Sequence, residues 1–160
     1  MGKINLIEVT KDNLYEICKL SNTLNETQGK FVATNSYSIA QAHYYPESAW
    51  FRGIYLDETP IGFVMVDVVM DDSPEEEKPS VMLWRFMIGR EHQGKGYAKK
   101  VIDILSEKFS NEGKKYFYTS CGLGEGGPYD FYIKQGFIDT GIMDGDEQLL
   151  KRDLQCSETA

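Results

Sequence analysis

The stretch Gln93-Gly94-Lys95-Gly96-Tyr97-Ala98 constrains the fold of this chain more than any other. It follows an apolar run, Val81 to Ile88, that reads as a strand, and it opens a run from Ala98 to Phe109 with helical spacing. A glycine-rich turn between a strand and a helix N-terminus is an anion site. Bare backbone N–H groups point outward there, and the helix dipole favours negative charge. The dinucleotide fingerprint G-x-G-x-x-G fails, because Lys99 stands where the third glycine belongs. No stretch fits the P-loop pattern. Taken alone, the hexapeptide is also compatible with a plain strand–helix turn whose glycines only permit positive φ.

The chain has 160 residues, the size of one ordinary domain with a real core. Its hydrophobic content of 41% and charged content of 26% read as soluble and globular. No apolar run approaches the roughly 18 residues of a membrane span, so no membrane partner is expected. Met1 to Leu6 lacks the apolar stretch of a signal peptide, and Leu6 occupies the position where myristoylation needs Ser or Thr. A cytoplasmic location is therefore expected. Cys18, Cys121 and Cys156 share no metal or redox spacing, and His43 and His92 are too scattered for a metal site. Cys18 lies on an apolar helical face, where burial as a small hydrophobe is expected. The net charge of −8 argues against a basic nucleic-acid surface. It suits either attraction of cationic substrates or ordinary solubility.

Ile4 to Val9 reads as a strand. Thr10 as N-cap, Asp12 in the first turn and the spacing of Leu14, Ile17 and Cys18 predict a helix over 11–21. Ser21 to Asn35 has no clear period, and Tyr37 to Tyr45 is helical up to Pro46. Trp50 to Leu56 and Ile61 to Met70 form a hairpin through Asp57-Glu58-Thr59-Pro60. Asp71 to Pro79, rich in acids, reads as a solvated loop. Val81 to Ile88 is apolar enough to be a central strand covered on both faces. The helix after the glycine turn presents Tyr97, Val101, Ile104, Leu105 and Phe109 on one side and stops at Gly113. Tyr116 to Cys121 is a strand, Gly122 to Gly127 a flexible loop, and Tyr129 to Gln135 a short helix stopped by Gly136. Phe137 to Met143 and Gln148 to Leu154 pair around Asp144-Gly145. The expectation is one α/β (α+β) domain over residues 1–154, with a mixed sheet of about seven strands and about four helices. Residues 155–160 form a frayed tail.

Two motifs now carry a family resemblance. Gln93-x-x-Gly96-x-Ala98 resembles the Gln/Arg-x-x-Gly-x-Gly/Ala signature of the GNAT superfamily of N-acetyltransferases. About 40 residues later, Phe131-Tyr132-Ile133-Lys134-Gln135-Gly136-Phe137 resembles the Tyr-x-Lys-x-Gly-Phe block that ends the GNAT core. The element order is that of the GNAT fold. Phe31-Val32-Ala33-x-Asn35, Ala40-Gln41-Ala42, Gly62-Phe63-Val64-Met65 and Leu83-Trp84-Arg85-Phe86-Met87-Ile88 are similar to bacterial spermidine/spermine N-acetyltransferases. The resemblance spans roughly residues 4–153.

The resemblance implies acetyl-CoA as cosubstrate and no metal. It assigns Gln93, Gly94, Lys95, Gly96, Tyr97, Ala98 and Lys99 to the pyrophosphate, with Lys95 and Lys99 either adding charge there or solvating the surface. The backbone of Phe86, Met87 and Ile88 lines the pantetheine arm, and Lys134 either reaches the cofactor or faces solvent. Tyr132 becomes the general acid for the departing thiolate. Glu26, Trp84 and Arg85 are candidate acceptor-side residues, and Glu26 and Asp67 are candidate proton acceptors. Two departures stand out: Glu125 and Pro128 replace the usual Asn and Ala before the tyrosine, and Trp84-Arg85 stands where polyamine enzymes often carry an acid. The implied acceptor is a small amine, spermidine or spermine first, with an aminoglycoside, an amino acid or a protein N-terminus as alternatives. A non-catalytic acyl-CoA sensor is a further alternative, and a homodimer is compatible with the family.

Overall fold

The computed structural model describes residues 2–155. Its elements in chain order are β1 (Ile4–Ile7), α1 (Leu14–Lys19), α2 (Glu26–Gly29), α3 (Asn35–Ala42), β2 (Ala49–Leu56) and β3 (Thr59–Asp67). There follow β4 (Val81–Ile88), α4 (Tyr97–Asn111), β5 (Tyr116–Cys121), α5 (Tyr129–Lys134), β6 (Ile138–Asp144) and β7 (Glu147–Asp153). The strands make one sheet in the order β1-β2-β3-β4-β5-β7-β6. Every pairing is antiparallel except β4 with β5.

That exception shapes the molecule. The parallel ladder covers only Val81 to Leu83 against Phe117 to Thr119. Past Leu83 the two strands diverge, and the β5-facing edge of β4 has no ladder partner. The bend has a local cause. On the β3 side, Met65 pairs with Arg85 and Val66 with Leu83, which leaves Trp84 as an extra residue. A bulge of this kind bends its strand and increases its twist. It also puts two successive side chains, Trp84 and Arg85, on the sheet face of Met65 and Met87.

Each face carries its own core. Val101, Ile102, Leu105 and Phe109 of α4 pack on Val64, Val66, Leu83, Phe117 and Leu150, together with Tyr132 and Phe137. The opposite face buries Ile17, Ala42, Phe63, Met65 and Met87 under α1 and α3. The α4 stripe is turned slightly from the expected one. Ile102 is fully covered, whereas Tyr97 and Ile104 are only partly so.

Several expectations need correction. The first helix starts at Leu14, not residue 11. Asn13 Oδ1 accepts from the Thr10 N–H at 2.7 Å and its amide donates to Glu8 O, which closes residues 10–13 as a turn. The helix is then so short that it buries only Ile17, and Cys18 is half-buried instead of covered. The unassigned stretch after it holds α2, fixed by a reciprocal capping box between Asn25 and Gln28. The α-helices thus number five among the described residues, in keeping with the expected count of about four. β3 ends at Asp67, short of Met70. The acidic loop is not wholly solvated, because Glu77 accepts from the Tyr118 phenol and from Lys151 Nζ at 2.6 Å. β4 is central, yet Trp84, Arg85 and Phe86 are only half-buried, since the cleft opens beside them. Cys156 and the rest of the expected tail lie outside the described residues apart from Gln155. No helix among the described residues is long and apolar enough to cross a membrane.

Candidate active site

The divergence of β4 from β5 opens a cavity of about 1000 Å³ that passes through the sheet. One end is the glycine turn. Gly94 has φ 74° and Gly96 φ 87°, both in the left-handed region that favours glycine. A Cβ at either would meet nothing within 4 Å, so backbone conformation and not crowding selects glycine there. Gly96 caps α4 with no side-chain hydrogen bond, so the first N–H groups of a fifteen-residue helix face outward. Ala98 and Gln93 line the cavity wall.

Gln93 is a latch. Its Nε2 donates to Ile88 O at 2.8 Å, and its Oε1 accepts from Gln28 Nε2 at 2.8 Å. Gln28 in turn belongs to the capping box of α2, so the glycine turn, the end of β4 and α2 are tied into one unit. Lys95 is exposed, Lys99 pairs with Asp103 at 2.8 Å on the helix surface, and Lys134 is exposed. Phe86, Met87 and Ile88 all line the cavity. Across the cleft, Gly122 to Gly127 lies against α2 and Phe31. A Cβ at Gly127 would stand 2.9 Å from the Phe31 ring, and one at Gly126 would stand 2.6 Å from Thr27 Cγ2.

Tyr132 enters the cavity from α5. It is 6% exposed, with the Phe131 and Phe137 rings edge-on at centroid distances of 5.4 Å each. Burial pushes its phenol well above the ordinary range. The Thr119 hydroxyl counters this, while Cys121 and Glu147 add to the rise. The phenol, protonated at neutral pH even at its ordinary value of 10.0, thus stays neutral further into the alkaline range. Cys121, buried beside it, is pushed up to about 11 by burial and by the charges of Glu147 and Asp139. Its thiol is also neutral and a poor nucleophile.

Beyond Tyr132 the wall turns acidic. Asp67, Asp72, Asp144 and Glu147 line it, with Trp84 and Arg85 among them. Arg85 donates to Gln41 Oε1 at 2.9 Å and to Trp84 O at 3.2 Å, and its Nε is buried without a partner. Burial pulls its guanidinium below its ordinary value. The Trp84 ring stands edge-on to Tyr45 at 5.6 Å. Asp67 accepts from the Val69 N–H at 2.9 Å, and burial raises its carboxyl, with Asp72 and Asp71 raising it further. Glu26 is exposed on α2 and forms no part of the cavity wall. Sequence reading missed Asp72, Asp144 and Glu147. For Glu147 a signal existed: alternation from the Asp144-Gly145 turn sets it on the face opposite Gln148 and Leu150. Asp72 sits in an irregular loop and gave none.

Comparison with known proteins agrees with this architecture. A Bacillus subtilis (strain 168) spermine/spermidine N(1)-acetyltransferase is 27% identical over 154 residues, covering 92% of this chain and 97% of that protein. The PaiA N-acetyltransferase of Thermoplasma acidophilum, solved in complex with coenzyme A, superposes with a TM-score of 0.66 at 16% identity, covering 94% of this chain and 99% of that one. The Escherichia coli ribosomal-protein-S18-alanine N-acetyltransferase superposes with a TM-score of 0.71 at 11% identity, covering 99% of each chain. Residues 12–137 match the Acetyltransferase (GNAT) family, and the chain belongs to that family.

Proposed function

We propose that this protein transfers an acetyl group from acetyl-CoA to a primary amine of a small polyamine such as spermidine or spermine, with Tyr132 as general acid. One observation carries the reading: a single cavity runs from the anion-binding turn, past a buried neutral phenol, to four carboxylates. The residues present fit acetyl-CoA. Outward N–H groups from Gly94 to Lys99 suit a pyrophosphate, and the edge of Phe86 to Ile88, without a ladder partner and with only the Ile88 carbonyl taken by Gln93, suits the amides of a pantetheine arm. Bound there, acetyl-CoA supplies an acyl group that an amine can accept, with the thiolate as leaving group. Tyr132 holds the proton that the thiolate needs. The acids concentrate cations at the far end. Asp67 and Asp72 also line an adjoining recess of about 450 Å³ with Glu47 and Asp71, which gives a long polycation further room.

An amine panel tests this reading by thiol release. Spermidine and spermine are expected to exceed amino acids and aminoglycosides in kcat/KM by about ten-fold or more, the effect of a focused acidic cleft. Preference for an amino acid or a protein N-terminus would remove the polyamine assignment and keep the reaction. CoA binding without turnover of any amine would favour a sensor. The latch is testable separately. Gln28→Ala is expected to weaken CoA binding about five-fold, the worth of one neutral hydrogen bond, by calorimetry. An unchanged dissociation constant would detach Gln28 from the donor site.

A further inference from the structure

We propose that Glu147 receives the acceptor amine as its ammonium and takes the proton that must leave before attack. This rests on the acetyl-transfer reading above and supplies the base that the sequence left open.

Glu147 opens β7 on the sheet face opposite Gln148 and Leu150, and Ser120 Oγ on neighbouring β5 donates to its Oε1 at 2.8 Å. Ser120 pairs with Leu149, so this bond runs diagonally across the ladder and points the carboxylate toward the cleft. Its Oε2 has no hydrogen bond among the described residues, and the side chain lines the cavity. Tyr132, by contrast, packs with the core on the α4 face. Acid and carboxylate thus reach the gap between β4 and β5 from opposite faces of the sheet. They are close enough for the charge of Glu147 to be felt at Tyr132, Cys121 and Arg85.

Three rival carboxylates are worse placed. Glu26 is outside the cavity wall. Asp67 is occupied by the Val69 N–H and crowded by Asp71 and Asp72. Asp144 is exposed at the hairpin end. On its own face Glu147 looks across to Arg85 of β4, shares β7 with Lys151, which is paired with Glu77, and stands opposite Asp144 of β6, while Cys121 of β5 and Tyr132 of α5, on the other face, lie within reach of its charge. Arg85 has a second effect there. A guanidinium beside the site disfavours a second cation, so it eases loss of the ammonium proton.

The step balances. Glu147 takes one proton from the ammonium and passes it to water. The nitrogen lone pair forms the new C–N bond as the C–S bond breaks. Tyr132 gives its proton to the leaving sulfur and regains one from the second proton that the nitrogen sheds. The products are the N-acetyl amine, the free thiol and one proton.

The test compares wild type, Glu147→Gln and Glu147→Asp, with CoA affinity and kcat/KM measured against pH. For spermidine, Glu147→Gln is expected to lose about a hundred-fold in kcat/KM, within the usual range for a proton-transfer group. CoA affinity should stay unchanged, and Glu147→Asp should recover part of the loss. With a weakly basic amine such as trifluoroethylamine, already unprotonated at neutral pH, the loss should shrink several-fold. Wild-type kinetics and pH profile in Glu147→Gln would overturn the proposal. An equal loss on both amines, or a loss of CoA affinity, would assign Glu147 a structural role and also overturn it. A wild type inert toward every amine removes the acetyl-transfer reading and this inference together, whereas an active wild type with an unimpaired Glu147→Gln removes this inference alone.

Discussion

Tyr132→Phe is expected to lower kcat by between about a hundred-fold and a thousand-fold, the range for loss of a positioned general acid. The dissociation constant for CoA should stay within about two-fold of wild type, because the proposed pyrophosphate and pantetheine contacts lie elsewhere. The substitution isolates the hydroxyl. The ring sits between Phe131 and Phe137, and phenylalanine keeps that packing. Burial is the main reason the phenol holds its proton beyond its ordinary range, with Cys121 and Glu147 reinforcing it against the hydroxyl of Thr119. Tyr132 therefore contributes no alkaline limb to the rate profile near neutrality. The same shift has a consequence for stability. Its folded pKa lies above the unfolded value of 10.0, so its contribution is fully present below pH 10 and is lost as pH rises beyond it. The resistance of wild type to urea should thus fall above about pH 10 more than that of Tyr132→Phe. Unaltered turnover in the variant would take Tyr132 out of the chemistry.

The parts of this molecule that were legible in the sequence are those set by local rules. β4 and β5 run over the expected residues because each is a bounded apolar or aromatic run, and α4 follows from its stripe and from Gly96 and Gly113 at its ends. The glycine turn needed only the positive φ of two glycines in sequence with a helix start. What stayed hidden depends on long-range pairing. The bulge at Trp84 is a property of the β3–β4 register, and no feature of Leu83-Trp84-Arg85 announces it. The role of Gln93 as a latch needed Gln28, sixty-five residues away, on a helix too short to leave a period. Glu77 reads as one more acid in a charged loop, until the fold brings it to Lys151 and Tyr118. The acidic end of the cavity draws on β3, the following loop and the β6–β7 hairpin, so no sequence window contains it.

Gly62→Ala should show how tightly the donor groove is set by backbone approach. Gly62 on β3 pairs with Ile88 on one side and Ile54 on the other. A Cβ there would collide with the Met87 carbonyl oxygen, with Ile88 Cδ1 at 3.1 Å and Ile54 Cδ1 at 3.2 Å. The side-chain ends can turn away, but a ladder carbonyl cannot, so relief requires β3 and β4 to part. Overpacking of this kind costs about 1–3 kcal/mol. For a chain of this length that is a fall in Tm of about 2–10 °C. The displaced residues are Met87 and Ile88, whose edge lines the cavity and whose Ile88 carbonyl anchors Gln93. Movement there should also cost about ten-fold or more in CoA affinity, since ångström-scale misplacement disrupts several hydrogen bonds together. Gly29→Ala is the control. It lies in α2 with nothing within 4 Å of its Cβ, so alanine should be neutral or slightly stabilising. If Gly62→Ala matched Gly29→Ala in Tm and CoA affinity, the β3–β4 contact would not be what fixes the groove, and the bulge at Trp84 would have to hold it alone.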